Sequence, residues 1–280
     1  MHHRIPIGTL MLAVALGVTM SNARAFDESK YPNWKGQWLR TDTGTPRYDP
    51  SKPPGRGQQA PLTPEYQSIL EASLADQAGG GQGGDPTYTC LAPGMPRIMN
   101  NYEGAEFVIT PRTTHVLMEH IHDFRRIYTD GRDWPEDIDP TFAGYSIGKW
   151  IDAQGSGRYD ALEVETRFLR GPRTWDQSGM PTADDNDGVI KERLYLDKAN
   201  PNILHDEMTT IDNSLTQPWS AMKSYRRARN VIWAEDSCSE GNPHVFIGKE
   251  VYFRGPDGVL MPVKKDQPPP DLKYFNQSRK

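Results

Sequence analysis

Along much of this chain apolar and polar positions alternate with a period of two, the spacing of an extended strand with one buried face. Residues 161–168 show it plainly: Leu162, Val164, Thr166 and Phe168 fall on one side and the charged residues on the other. β-rich runs at 106–110, 145–150, 160–168, 189–196, 203–211, 219–226, 231–233 and 251–253 recur at hairpin spacing, and the aromatic start Trp34-Lys35-Gly36-Gln37-Trp38 adds a first strand. About eight to ten short strands and one helix predict an antiparallel all-β domain with long Pro/Gly-rich loops. A closed, lipocalin-like barrel is favoured over a two-sheet sandwich, because closure leaves no exposed edge. The helix is signposted from residue 63. Thr63 can cap it, Pro64 suits its first position and Glu65 complements its dipole, while Tyr66, Ile69, Leu70 and Leu74 recur at helical spacing until glycines 79–81 stop it.

Ionisable side chains crowd residues 115–132. Two β-rich runs, 115–122 and 124–128, lead into Asp130-Gly131, a pair that tolerates positive φ and favours a tight turn. With the first run extended, Val116, Met118, His120, His122 and Phe124 share one face, and His115, Leu117, Glu119 and Ile121 the other. A His-x-His pair then projects from one side. His205 offers a third imidazole, with Glu207 and Thr209 on its face between Ile203 and Ile211. Three protein ligands with an open position is how catalytic zinc is held. His120, His122 and His205 are therefore the metal-ligand candidates, and together with Glu207 the catalytic ones. The plainer reading has these histidines hydrogen-bonded to neighbouring carboxylates in a polar patch.

Arg126, Tyr128 and Glu119 are the ligand-binding candidates of the same stretch. An arginine beside a tyrosine can hold a carboxylate or phenolate, although Arg125, Arg126 and Arg132 can equally form salt bridges to a neighbouring strand. Asp123 is a place for a bulge, which would change the face that Arg126 and Tyr128 occupy. Any cofactor is expected to be a divalent metal such as zinc rather than a nucleotide. No GxGxxG follows a strand, no phosphate-binding loop is present, and Ser178-Gly179 is not in a nucleophile elbow. The acidic run 184–188 lacks the closing glutamate of a calcium loop and reads as a solvated turn.

Composition adds a compartment. Residues 1–25 combine a basic start (His2, His3, Arg4), an apolar stretch at 7–20 and Ala23-Arg24-Ala25, the pattern of a cleaved secretory signal peptide. The expected product is one β-rich domain over 26–280, periplasmic or secreted, with no membrane insertion. Within it, 41–89 reads as a loop-and-helix excursion and 264–280 as an exposed tail. Losing Arg4 and Arg24, and no acid, moves the net charge from −5 to −7, which argues against nucleic acid as a partner. The only two cysteines, Cys90 and Cys238, are expected to pair in an oxidising compartment.

Several segments together resemble a large, essentially uncharacterised family of exported bacterial β-rich proteins. They are Trp34 to Trp38, Leu62-Thr63-Pro64-Glu65-Tyr66, Cys90-Leu91-Ala92-Pro93-Gly94-Met95-Pro96-Arg97, Arg126-Ile127-Tyr128-Thr129-Asp130-Gly131-Arg132, Gly144-Tyr145-Ser146-Ile147-Gly148-Lys149-Trp150 and Pro218-Trp219. After Trp150 this chain departs from the resemblance: Ile151-Asp152-Ala153-Gln154-Gly155-Ser156-Gly157 stands where the family commonly runs Glu-Gly-Asp-Thr-Leu. The resemblance implies export and a β-rich fold and is silent on activity. The leading expectation is a barrel that binds a small, mostly apolar or aromatic molecule, oriented by polar residues of 115–132. The rival is a lyase, isomerase or hydrolase built on the histidine cluster, and a third reading is a structural envelope or partner-binding module. The oligomeric state is left open.

Overall fold

The structure, a computed structural model, describes residues 26–41, 48, 58–100, 104–119, 121, 123–230, 232–234, 237–238, 242–248 and 250–271. Nine strands close into a barrel in chain order: β1 (Gln37–Arg40), β2 (Ala105–Ile109), β3 (Thr113–Met118), β4 (Phe124–Tyr128), β5 (Tyr145–Ile151), β6 (Ala161–Arg167), β7 (Val189–Leu196), β8 (Ile203–Ile211) and β9 (Trp219–Arg227). β9 returns to β1 through Trp38 opposite Arg227 and Arg40 opposite Tyr225. Inward positions alternate as a closed sheet requires, with Leu162, Val164 and Thr166 of β6 buried between the outward Glu163, Glu165 and Arg167.

The barrel is mixed rather than purely antiparallel, because β4 and β5 run parallel, with Ile127 opposite Ser146. The expected tight turn at Asp130-Gly131 does not form a hairpin. Instead the Asp130 carboxylate holds Arg112 at 3.0 Å and Arg132 at 2.8 Å, and the chain runs on to residue 144 before re-entering the sheet from the same end as β4. A parallel pair needs such a crossover.

The run 115–122 is also not one strand. β3 stops at Met118, Ile121 takes a left-handed backbone (φ 56°), and β4 folds back with Phe124 opposite Leu117. Glu119 leaves the ladder to accept hydrogen bonds from the backbone of Gly104 (3.1 Å) and Ala234 (2.8 Å). Val116 and Met118 therefore point inward with Arg125 and Ile127, while Phe124 and Arg126 point out.

Helix α1 (Pro64–Ala78) follows Thr63, whose side chain makes no capping bond. Of its expected apolar stripe Leu70 is buried and Ile69 exposed, and the helix docks partly through Ser73, whose hydroxyl donates to the Ser178 carbonyl (2.7 Å). A second, three-stranded sheet, β10 (His244–Ile247), β11 (Glu250–Arg254) and β12 (Leu260–Pro262), lies near the C-terminus. The strand expected at 231–233 is absent over its described residues, where Ile232 and Trp233 are exposed. The Cys90–Cys238 disulfide joins this C-terminal region to the loop before residue 94.

Aromatic and loop residues fill the two ends. At one, Trp34 packs on Phe107 (5.3 Å) and Trp150 (5.1 Å), with its carbonyl accepting the Trp38 indole N–H at 2.9 Å. At the other, Tyr48 and Trp175 meet Trp219 of β9 (4.9 and 4.6 Å). There the loop carrying Met95, Ile98 and Met99 is fixed by Arg40, which donates to Asn100, and by the Tyr225 hydroxyl, which donates to the Met99 carbonyl.

Candidate functional site

The interior of the barrel is polar at its middle. Arg125 enters from β4 and spans β5 and β6 to reach β7. Its guanidinium donates to Ser146 Oγ (3.1 Å), Thr166 Oγ1 (2.7 Å) and Glu192 Oε1 (2.7 Å), with a second bond to Glu192 Oε2. Both ionic side chains are sealed from solvent. Removing one partner of such a pair leaves an uncompensated buried charge, at a cost of about 3–5 kcal/mol, whereas an apolar replacement of both is often neutral or stabilising. Stability alone is thus a poor reason to keep it.

Beside this pair Asp206 of β8 faces Lys223 of β9 directly across the ladder. Asp206 is fully buried, and neither carboxylate oxygen has a hydrogen-bond partner among the described residues. Burial pushes its carboxyl well above the usual range; the neighbouring Glu192 and Glu207 add to the effect, and Arg125 and Lys223 oppose it. The Lys223 ammonium lies 4.2 Å from the centre of the Tyr48 ring. The Tyr48 hydroxyl donates to Asp176 and accepts from Asn100 (3.1 Å), and burial, reinforced by Asp176, holds its proton on. Chemically this is a buried polar cluster in which desolvation favours the protonated form of the Asp206 carboxyl.

The candidates read from the sequence that the structure describes lie elsewhere. His120 and His122 are outside the described residues. His205 and Glu207 flank Asp206 on β8 and so project from the outer face. His205 is held between Ser224 (2.8 Å) and Asp197 (3.2 Å), the hydrogen-bonded arrangement set against a metal site. Glu207 accepts from the Tyr195 hydroxyl at 2.6 Å, and burial together with this carboxylate pushes that phenol up to about 12. Arg126 is exposed over Phe124. Tyr128 stacks on Tyr145 (4.9 Å) with the Arg132 guanidinium 3.8 Å above its ring, while Glu119, just after β3, is committed to the backbone N–H groups of Gly104 and Ala234. Among the described residues no three His, Cys, Asp or Glu side chains are grouped to hold a metal. The carboxylate that stands out, Asp206, is the neighbour of two residues singled out for the opposite face.

Space for a small molecule exists at the end of the barrel closed by Trp34. A cleft of about 370 Å³ is lined by Tyr31, Pro32, Trp34, Phe107 and Ile109 on its apolar side and by Glu28, Ser29, Asn33, Lys35 and Arg158 on its polar side. Its wall is held firmly. The Arg227 guanidinium donates to the carbonyls of Asn33 (2.8 Å) and Lys35, and the Tyr159 N–H donates to the Lys30 carbonyl at 2.7 Å. Tyr31 in turn packs edge-on against Trp150 and beside Tyr159, both at 5.1 Å. Aromatic spacing in 31–38 was the available signal for this cleft, but an aromatic strand start reads the same whether its rings are core or wall. A scan against protein-family models returns no match for this chain, and a search of characterised proteins returns none either.

Proposed function

We propose that this is an exported barrel protein that binds a small, mostly aromatic or apolar molecule in the cleft at its mouth. The observation that carries the reading is the cleft itself: about 370 Å³, walled by Tyr31, Trp34, Phe107 and Ile109, with a few polar groups on one side. Volume and lining match those of small-molecule sites, about 300–1,000 Å³ and largely apolar with few polar groups, which often lie in the mouths of β-barrels. Hydrogen bonds fix the wall before any ligand arrives, which lowers the ordering cost of binding. Export is supported by the signal-like 1–25 segment and by the disulfide.

Thermal-shift measurements with a set of neutral one- and two-ring aromatic compounds test the binding reading. Saturable stabilisation is expected for the native chain and its loss is expected for Ile109→Glu, which places a charge in the cleft at a half-buried position on the edge of the core. Equal stabilisation of both proteins would move the site elsewhere.

A second reading, an acid–base enzyme of the lyase, isomerase or hydrolase kind, is favoured by Asp206. A buried carboxyl whose pKa is raised by burial, beside a lysine and an arginine–glutamate pair, is a way to build a general acid. On that reading Asp206, rather than His205 or Glu207, supplies the proton, and Asp206→Asn abolishes turnover while leaving the fold intact.

A further inference from the structure

We infer that the ligand of the mouth cleft is an aromatic ring bearing a carboxylate, with the ring against Trp34, Phe107 and Tyr31 and the carboxylate at Arg158. The inference rests on the proposed binding role and adds the charge of the ligand. Among the described residues three charged side chains line the polar side of the cleft. Two of them, Lys35 and Glu28, neutralise each other at 2.8 Å. The third is Arg158, whose guanidinium has no hydrogen bond, ion pair or ring contact with any described residue. The lining therefore carries one uncompensated positive charge in a protein whose net charge is −5. A cation beside apolar walls selects an anionic ligand both by steering it and by charge-assisted hydrogen bonding, and a guanidinium matches the two oxygens of a carboxylate.

Position supports the assignment. Asp152 accepts hydrogen bonds from the backbone of Ser156 (3.0 Å) and Gly157 (2.7 Å), shaping the turn that delivers Arg158. The next residue, Tyr159, is tied to the carbonyl of Lys30, which stands between the lining residues Ser29 and Tyr31 in sequence. The charge is thus placed at the rim by two anchors, while its side chain stays free to close on a ligand. The Tyr31 phenol, which burial keeps protonated, stands in the same lining as a neutral donor.

Calorimetric titration of the full chain with three ligands of one shape, cinnamate, cinnamamide and cinnamylamine, tests the inference. Cinnamate is expected to bind roughly 10-fold more tightly than the amide, and Arg158→Gln to remove that advantage while leaving amide binding unchanged. Amide or amine binding as tight as cinnamate, or an Arg158→Gln variant that binds cinnamate normally, would overturn the carboxylate assignment and leave the binding role standing. Failure of all three ligands to bind would overturn both.

Discussion

Asp206 and Lys223 face each other in a chamber that also holds Arg125 and Glu192 from β4 and β7, and the outward Glu207 adds its charge from the same strand. A carboxyl whose folded pKa is raised contributes stability that is complete below its unfolded pKa, about 3.9, and is lost as pH rises through the folded value. Asp206→Asn removes that loss and keeps the size. Urea unfolding should give the variant and the native chain similar stability near pH 4, with the variant becoming the more stable as the pH rises above that. A difference that does not change with pH would show that Asp206 is not held neutral.

At this scale the sequence is least transparent. In Ile203 to Ile211 both faces of the strand mix apolar and polar residues, Leu204-Asp206-Met208-Thr210 against Ile203-His205-Glu207-Thr209-Ile211, so alternation does not say which carboxylate is inside. Chemistry was assigned to the histidine face, while the sheet buries the other. Arg125 was legible as an internal salt bridge, but not that its partner, Glu192, lies three strands away.

At the scale of elements, β7 and β8 coincide with the runs read from alternation, β5 and β9 differ by a residue at one end, and β6 by a residue at each end. In β6 the inner Leu162, Val164 and Thr166 are mainly apolar and the outer Glu163, Glu165 and Arg167 are charged, so a period of two is visible there. The hairpin of β3 and β4 was misread because 115–122 has strand-forming residues throughout; what ends the strand is Glu119, drawn away by backbone N–H groups distant in sequence. The parallel β4–β5 pair depends likewise on Asp130 binding Arg112 and Arg132 rather than capping a turn. On β5, Gly148 faces inward where an added Cβ would sit 2.6 Å from Ile127 and 3.0 Å from Leu162. Strand propensity alone favours alanine over glycine there, by about 0.5–1 kcal/mol, but overpacking costs about 1–3 kcal/mol and should prevail. Gly148→Ala is therefore expected to lower the urea midpoint. A raised midpoint would mean that the interior is looser than described.

For the whole molecule, the closed barrel was legible from strand number and spacing, while the second sheet was only half seen, since β10 and β12 have just four and three residues. The disulfide spans 148 residues and on the chain-entropy account stabilises by about 5 kcal/mol. Intact mass of protein recovered from the periplasm or medium is expected to correspond to a chain beginning at Phe26, with no mass gained on alkylation unless a reductant is added first. A chain beginning at Met1, or two alkylated thiols in the native protein, would contradict the exported, cross-linked form.

The binding role itself is most directly tested by following the indole N–H signals of the tryptophans in an NMR titration with a small aromatic ligand such as cinnamamide. Trp34 lines the mouth cleft, whereas Trp175 and Trp219 lie together at the opposite end of the barrel. The account predicts a saturable shift of the Trp34 signal with those of Trp175 and Trp219 unmoved; shifts confined to Trp175 and Trp219, or none across the set at millimolar ligand, would contradict it.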